Sequence, residues 1–256
     1  MRFDNSRPWQ TAIFQLPSSM PSQNRQPTVD DIRRLLAELD PASIWRPVHG
    51  PDGERIAAAG DGREIPELDE YIGNLDLAGK SVADLGCNLG YFAFLAKRRG
   101  AVRTLGLDID PEVIRVACAI ARLHDTPDVT FTACDFLRVV PETPCDLAML
   151  IDFIGRQIIA KGRVKAVVAA ARNWASREIF FTLRPVYALD DLPVTRETLE
   201  ALYPGFVHDD AFYLAEFVAH ELGTQWSLAC LPNGSFAVSP TQRRFKAALL
   251  FTKIPG

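Results

Sequence analysis

The sequence predicts an α/β protein: a mostly parallel sheet with helices on both faces. Two observations carry this expectation. Between residues 80 and 183, short apolar runs alternate with helical segments, the βαβα order of a parallel sheet with crossover helices. A chain of 256 residues, 48% hydrophobic and 23% charged, is also long and apolar enough to bury the core such a sheet needs.

The elements follow in order. Residues 1–27 read as irregular, because Pro8, Pro17, Pro21 and Pro27 among polar residues block regular helix. Thr28 caps a helix with Asp30 and Asp31 in its first turn and Ile32, Leu35, Leu36 and Leu39 on its apolar stripe. Asp40-Pro41 ends it. Residues 41–64 suggest loops or a small hairpin, with turn signals at Gly50-Pro51 and Asp52-Gly53. A helix over 66–74 leads into strand 81–85. Helix 91–99 ends at Gly100, strand 104–108 follows, and Pro111 opens a helix that runs to His124. Strands at 129–132, 147–151 and 178–183 flank a helix at 161–174. Beyond residue 185 we expect helices at 195–202 and 209–222. Strands at 225–231 and 245–253 then form an antiparallel edge pair around Pro232-Asn233-Gly234. Residues 1–65 form an N-terminal cap and residues 66–256 the main domain.

Composition narrows the function. A net charge of -4 gives no global electrostatic footprint for nucleic acid or an anionic membrane. Arg98 with Arg99, and Arg243 with Arg244, read as solvated charges at helix ends and in loops. None of the five cysteines forms a CxxC pair and the four histidines are scattered. This predicts free thiols in a reducing compartment and no metal site. The N-terminus has no apolar signal-peptide core, and no apolar run approaches the roughly 20 residues of a membrane span. A cytoplasmic location is the expectation.

The sharpest signal is Asp84-Leu85-Gly86-Cys87-Asn88-Leu89-Gly90-Tyr91-Phe92. It lies between a strand and a helix, where the carboxyl ends of a parallel sheet open into a crevice. Gly86 and Gly90 permit a tight turn and close ligand approach, and the helix N-terminus offers unpaired N–H groups. An acid two residues before the first glycine would repel a pyrophosphate but suits a ligand carrying an ammonium group. Asn88 stands where a middle glycine often sits, so the G-x-G-x-x-G spacing of nicotinamide dehydrogenases is absent. Asp108 ends the next strand, the place for a carboxylate that accepts from ribose hydroxyls.

Asp84 to Gly90, Gly106-Leu107-Asp108-Ile109-Asp110 and Cys134-Asp135-Phe136 together resemble the class I family of methyltransferases that depend on S-adenosylmethionine (SAM). The resemblance covers residues 75–185, with weaker support to residue 254. It implies a Rossmann-like three-layer αβα sandwich with a mostly parallel seven-stranded sheet and one antiparallel edge strand. It implies that Asp84 and the loop of Gly86, Cys87, Asn88 and Gly90 hold the methionine portion of SAM, with Tyr91 approaching the ligand. Asp108 would bind the ribose and Ile109 would pack on the adenine. Asp135 would accept from the adenine amino group, Phe136 would supply a backbone N–H, and Asp152 would lie near the transferred methyl. The Asp-Leu-Gly-Cys-Asn run is also similar, over these few residues, to enzymes that modify tRNA wobble uridine.

Methyl transfer from a sulfonium has a neutral leaving group, so aligning the reactants supplies much of the rate. A base is needed only if the acceptor must lose a proton. Asp152 and Arg156 follow the fourth strand. The first is a candidate to orient or deprotonate the acceptor and equally suits a helix N-cap. The second is a candidate to bind a carboxylate or phosphate and equally suits a surface charge. Arg184 and Tyr187 follow the fifth strand at the same end of the sheet. His208 is a candidate base in a loop, whereas His220, Phe212, Tyr213 and Phe217 read as core of one helix. In the cap, Trp9, Phe14, Trp45, Arg46 and His49 suit a lid or, for most of them, anchors. A small-molecule methyl acceptor is the expected partner. The alternatives are an RNA-modifying enzyme, which needs the arginines gathered at the site mouth, and a silent SAM-binding protein.

Overall fold

The computed structural model describes residues 25–59, 66–229 and 246–255. Trp9, Phe14, Cys230, Arg243, Arg244 and the turn expected at 232–234 lie outside them. Seven strands form the main sheet: β1 (Ser81–Leu85), β2 (Arg103–Asp108), β3 (Val129–Ala133), β4 (Cys145–Ile151), β5 (Ala175–Leu183), β6 (Trp226–Ala229) and β7 (Ala247–Lys253). Their order is β6-β7-β5-β4-β1-β2-β3. The five strands from β1 to β5 are parallel. β7 opposes β5 and β6 opposes β7, so the C-terminal pair forms one edge and β7 is its reversed strand. The chain leaves β1 toward β2 on one side and returns to β4 on the other, which places a crevice at the carboxyl ends of β1 and β4.

The helices are α1 (Val29–Ala37), α2 (Pro66–Gly73), α3 (Tyr91–Arg98), α4 (Pro111–Leu123), α5 (Arg156–Ala160), α6 (Val164–Trp174), α7 (Arg196–Leu202) and α8 (Leu214–Leu222). Alternation along each strand assigns the layers. Val82, Met149 and Phe180 pack with Phe92 and Leu95 of α3. Their neighbours Ala83, Leu150 and Phe181 belong to the opposite core, with Val167 and Val168 of α6 and Val218 of α8. The cap adds to the first side: Ile32 and Leu36 of α1 share a cluster with Val116 and Ile120 of α4. Thr28 and Asp31 close α1 with a reciprocal capping box. Val48–His49 and Arg55–Ala57 form the small hairpin.

Two expected helices differ. The one over 161–174 is broken at Gly162, whose φ is +66°, so a short α5 precedes α6. The one over 209–222 begins only at Leu214. Asp209 and Asp210 adopt φ +48° and +57°, a left-handed conformation that aspartate tolerates and a helix does not. They turn Val207–His208 back onto Ala211–Phe212, which pairs in turn with Tyr187–Ala188. His220 is exposed on α8, not core, with its ring 5.2 Å from that of Phe206. Phe212 and Phe217 are core, as expected.

Gly106 on β2 makes room for the ring of Phe131 from β3. A Cβ there would meet that ring at 2.4 Å and the Cys87 sulfur at 2.8 Å. Gly106→Ala is expected to lower stability by about 1–3 kcal/mol through overpacking. Adding Phe131→Leu should restore part of the loss in denaturant unfolding. A Gly106→Ala protein as stable as the parent would contradict this packing.

Candidate cofactor and acceptor site

The site starts at the turn after β1. The N–H groups of Gly86 and Cys87 both donate to the carbonyl of Leu107, at 2.8 and 2.9 Å. The Asn88 N–H donates to Asp108 Oδ2 at 2.9 Å, and that of Asp110 donates to Oδ1 at 3.1 Å. Gly86 and Gly90 both have φ of +83°. A Cβ on Gly86 would lie 2.6 Å from the Phe153 ring, and one on Gly90 would lie 2.2 Å from Phe131. The glycines are thus required by the protein's own ring packing as well as by the turn. Asn88, at φ +50°, has a different task. Its carboxamide donates to the carbonyl of Ser43 at 2.7 Å and accepts from the Trp45 N–H at 3.4 Å. It ties the cap to the loop, which a glycine cannot do.

Gly90 opens α3 without a side-chain cap. The carboxylate of Asp84, on the facing strand, takes the N–H of Ala93 in the first turn instead. Asp84 is 1% exposed, and its Oδ2 has no hydrogen-bond partner among the described residues. Burial, then the charge of Asp108, raises its pKa from 3.8 to about 7, against the Ala93 N–H. Cys87 is buried, and its thiol is pushed well up by burial and by the two carboxylates, so it is no nucleophile.

Asp108 stands at the end of β2, half-buried, and each of its oxygens accepts one N–H. A carboxylate oxygen has two acceptor positions, so both can take a further donor. Ile109, beside it, is 70% exposed. Asp135 accepts from the Leu137 N–H at 3.1 Å and pairs with the exposed Arg138 at 3.2 Å. Phe136 is buried, its carbonyl accepting from the Trp174 indole. A buried carboxylate with one unpartnered oxygen, a strand-end acid with free acceptor positions and an exposed aliphatic side chain fit a ligand with an ammonium group, a ribose and a flat base.

A cavity of about 520 Å³ opens between this loop and the cap. Asn88, Tyr91 and Phe92 line one side, Trp45, Arg46 and Val48 the other, and Asp152 with Lys246 the end at β4. Asp152 is fixed in a left-handed conformation, φ +54°. Its N–H donates to the Thr182 hydroxyl at 2.9 Å, and that hydroxyl donates to Asp152 Oδ1 at 3.0 Å. Oδ2 pairs with Lys246 and, at 3.5 Å, with Arg46. Tyr91 donates its hydroxyl to Asp69 at 2.6 Å. Trp45 is 57% exposed, not an anchor.

The other candidates lie elsewhere. Arg156 is exposed at the start of α5, and His208 stacks on Tyr213 at 4.1 Å on the small sheet. Neither is among the cavity's lining residues. Arg184 pairs with Asp191 at 2.7 Å over the ring of Tyr187. Lys246 and Thr182 were missed in the sequence, because only strand pairing carries them to Asp152. Among the described residues, no group of three or more His, Cys, Asp or Glu suits a metal, and no helix is long and apolar enough to cross a membrane.

A family model described as a methyltransferase domain matches residues 76–222, more than half of the chain. The chain belongs to this family of methyltransferase domains. The ribosomal protein L11 methyltransferase of Serratia proteamaculans (strain 568) is 36% identical to it over 80 residues, 28% of this chain and 27% of that protein. The protein of that name from Alteromonas mediterranea (strain DSM 17117) is 33% identical over 91 residues, 33% of this chain and 31% of that protein. The chain thus spans less than a third of the length of these curated relatives. The structure of the bifunctional kinase-methyltransferase WbdD aligns with a TM-score of 0.54 at 20% identity, over 87% of this chain and 46% of that one, a likeness of fold.

The titration of Asp84 is testable in the protein. Its folded pKa lies above its unfolded one, so its contribution favours the folded state fully below about pH 4 and is lost as the pH rises through about 7. Asp84→Asn stays neutral. Its stability should therefore gain on the parent's as the pH rises from about 4 to about 7 and hold that gain above. Denaturant unfolding at a series of pH values measures the difference; a flat difference would contradict a buried, titrating Asp84.

Proposed function

We propose that the methyltransferase acts on a small-molecule acceptor held in the cavity between the cap and the carboxyl end of the sheet. The cavity itself carries the reading. Its volume of about 520 Å³ lies within the roughly 300–1,000 Å³ typical of small-molecule pockets, and it ends at Asp152, the position proposed beside the transferred methyl. The curated relatives are named for a protein substrate, but each matches a third of this chain or less.

In this reading Asp108 accepts from the ribose hydroxyls through its free acceptor positions. Ile109 covers the adenine, and Asp135 with the Phe136 N–H meets its polar edge. The loop of Gly86, Cys87, Asn88 and Gly90, with Tyr91, holds the methionine end. The buried carboxylate of Asp84 sets a negative charge beneath it. When bound, SAM supplies an electrophilic methyl on sulfur for in-line displacement. The protein's part is alignment and the exclusion of water. The oxygens of Asp152 are engaged by Thr182, Lys246 and Arg46, so this residue serves as a fixed point for the acceptor rather than as a free base.

Calorimetry should give micromolar SAM binding, about -8 kcal/mol, and Asp108→Ala should weaken it at least tenfold; unchanged affinity would contradict the ribose contact. For the acceptor, extract of the organism that encodes the protein is divided by dialysis and incubated with SAM and enzyme. Demethylated SAM should form with the dialysable fraction. Formation only with the retained macromolecules would overturn the small-molecule reading.

A further inference from the structure

Among the described residues, the cavity's charges do not balance: Arg46, Arg98 and Lys246 line it, with Asp152 as the one acid among them. Two of these cations converge on the same oxygen, Oδ2 of Asp152, and neither has another acidic partner among the described residues. The third contact, the Thr182 hydroxyl, is neutral. The cluster therefore holds one positive charge more than it neutralises.

The surplus is partly removed from water. The Arg46 side chain is 17% exposed and that of Lys246 37%. The Arg46 guanidinium lies 5.5 Å from the centre of the Phe92 ring, which holds its planar fork in place. An under-neutralised charge in a largely apolar pocket is unfavourable until an anion arrives. A guanidinium and an ammonium that already converge on one carboxylate are spaced to take a second. Ile44, Pro47, Val48 and Phe94 add apolar wall, beside the polar His49, Asn88 and His124.

We propose that the methyl acceptor is an organic anion, an apolar body with a carboxylate or phosphate group seated between Arg46 and Lys246. This rests on the small-molecule reading above and narrows its substrate class. Asp152 is then a positioning residue that draws the two cations to one point, and its own pairing is shared with the incoming anion. The methionine carboxylate of SAM has the same chemistry, so the test separates the two sources.

The dialysable acceptor fraction is split on an anion-exchange resin. Methyl transfer should follow the retained, anionic compounds. Activity confined to the unretained fraction would overturn the anionic class while leaving the small-molecule reading intact; activity in neither, with transfer to macromolecules, would overturn that reading instead. A binding arm uses benzoate and its neutral counterpart benzamide, read through the fluorescence of Trp45, with Trp45→Phe as the control for the signal. Benzoate should bind at least tenfold more tightly than benzamide, and saturating demethylated SAM should leave its affinity unchanged. Lys246→Met and Arg46→Met should each reduce the preference for benzoate at least fivefold, with Lys246→Arg retaining it and calorimetric SAM affinity unchanged. Equal binding of the two probes, binding of neither, or displacement of benzoate by demethylated SAM together with weaker SAM binding in the variants would overturn the proposal.

Discussion

The structure depends on how the turn after β1 is held. Two consecutive N–H groups share the Leu107 carbonyl, and a third, from Asn88, reaches the Asp108 carboxylate. These bonds fix the turn to β2, and so to the strand that presents Asp108 and Ile109. From the other side of the turn, the Asn88 carboxamide grips the cap at Ser43 and Trp45. One loop thereby sets the distance between the strand ends proposed to carry SAM and the cap that walls the cavity. Loosening it would disturb both halves of the site, which is why small residues and an asparagine with positive φ are concentrated there.

Charge is arranged in opposite senses on the two sides of this turn. Asp84 is buried with one oxygen unpartnered and Asp108 lies near enough to raise its pKa. That side carries uncompensated negative character and suits a cationic sulfonium with an ammonium group. At the cavity, Arg46 and Lys246 outnumber Asp152, which suits an anionic partner. A cation and an anion thus have complementary places on either side of the loop, and the alignment that methyl transfer requires can be met without a dedicated base.

The parallel sheet was legible because its signals are local. Each apolar run lies beside its own turn, and Pro111 and Thr28 mark helix starts by their chemistry alone. The strand-end carboxylates were legible for the same reason. Asp209 and Asp210 were not, because an aspartate pair at the start of a helical pattern reads as an N-terminus unless its left-handed backbone is known. The acceptor side was harder still. Lys246 lies 94 positions from Asp152 and arrives only because β7 runs antiparallel to β5, so that the residue just before it lies at the carboxyl ends of the parallel strands. Thr182 reaches Asp152 through the β4–β5 pairing. Arg46 was legible only as one of the cap residues suited to a lid or an anchor, with nothing to tie it to Asp152. Periodicity carries no trace of such contacts.

The most direct measurement of the central claim is a crystal structure of the methyltransferase with its demethylated cofactor bound. The account predicts ribose hydroxyls hydrogen-bonded to the Asp108 carboxylate, adenine against Ile109, and the sulfur facing the cavity that ends at Asp152 and Lys246. A complex in which the cofactor fills the cavity between Arg46 and Lys246, leaving Asp108 free, would contradict it.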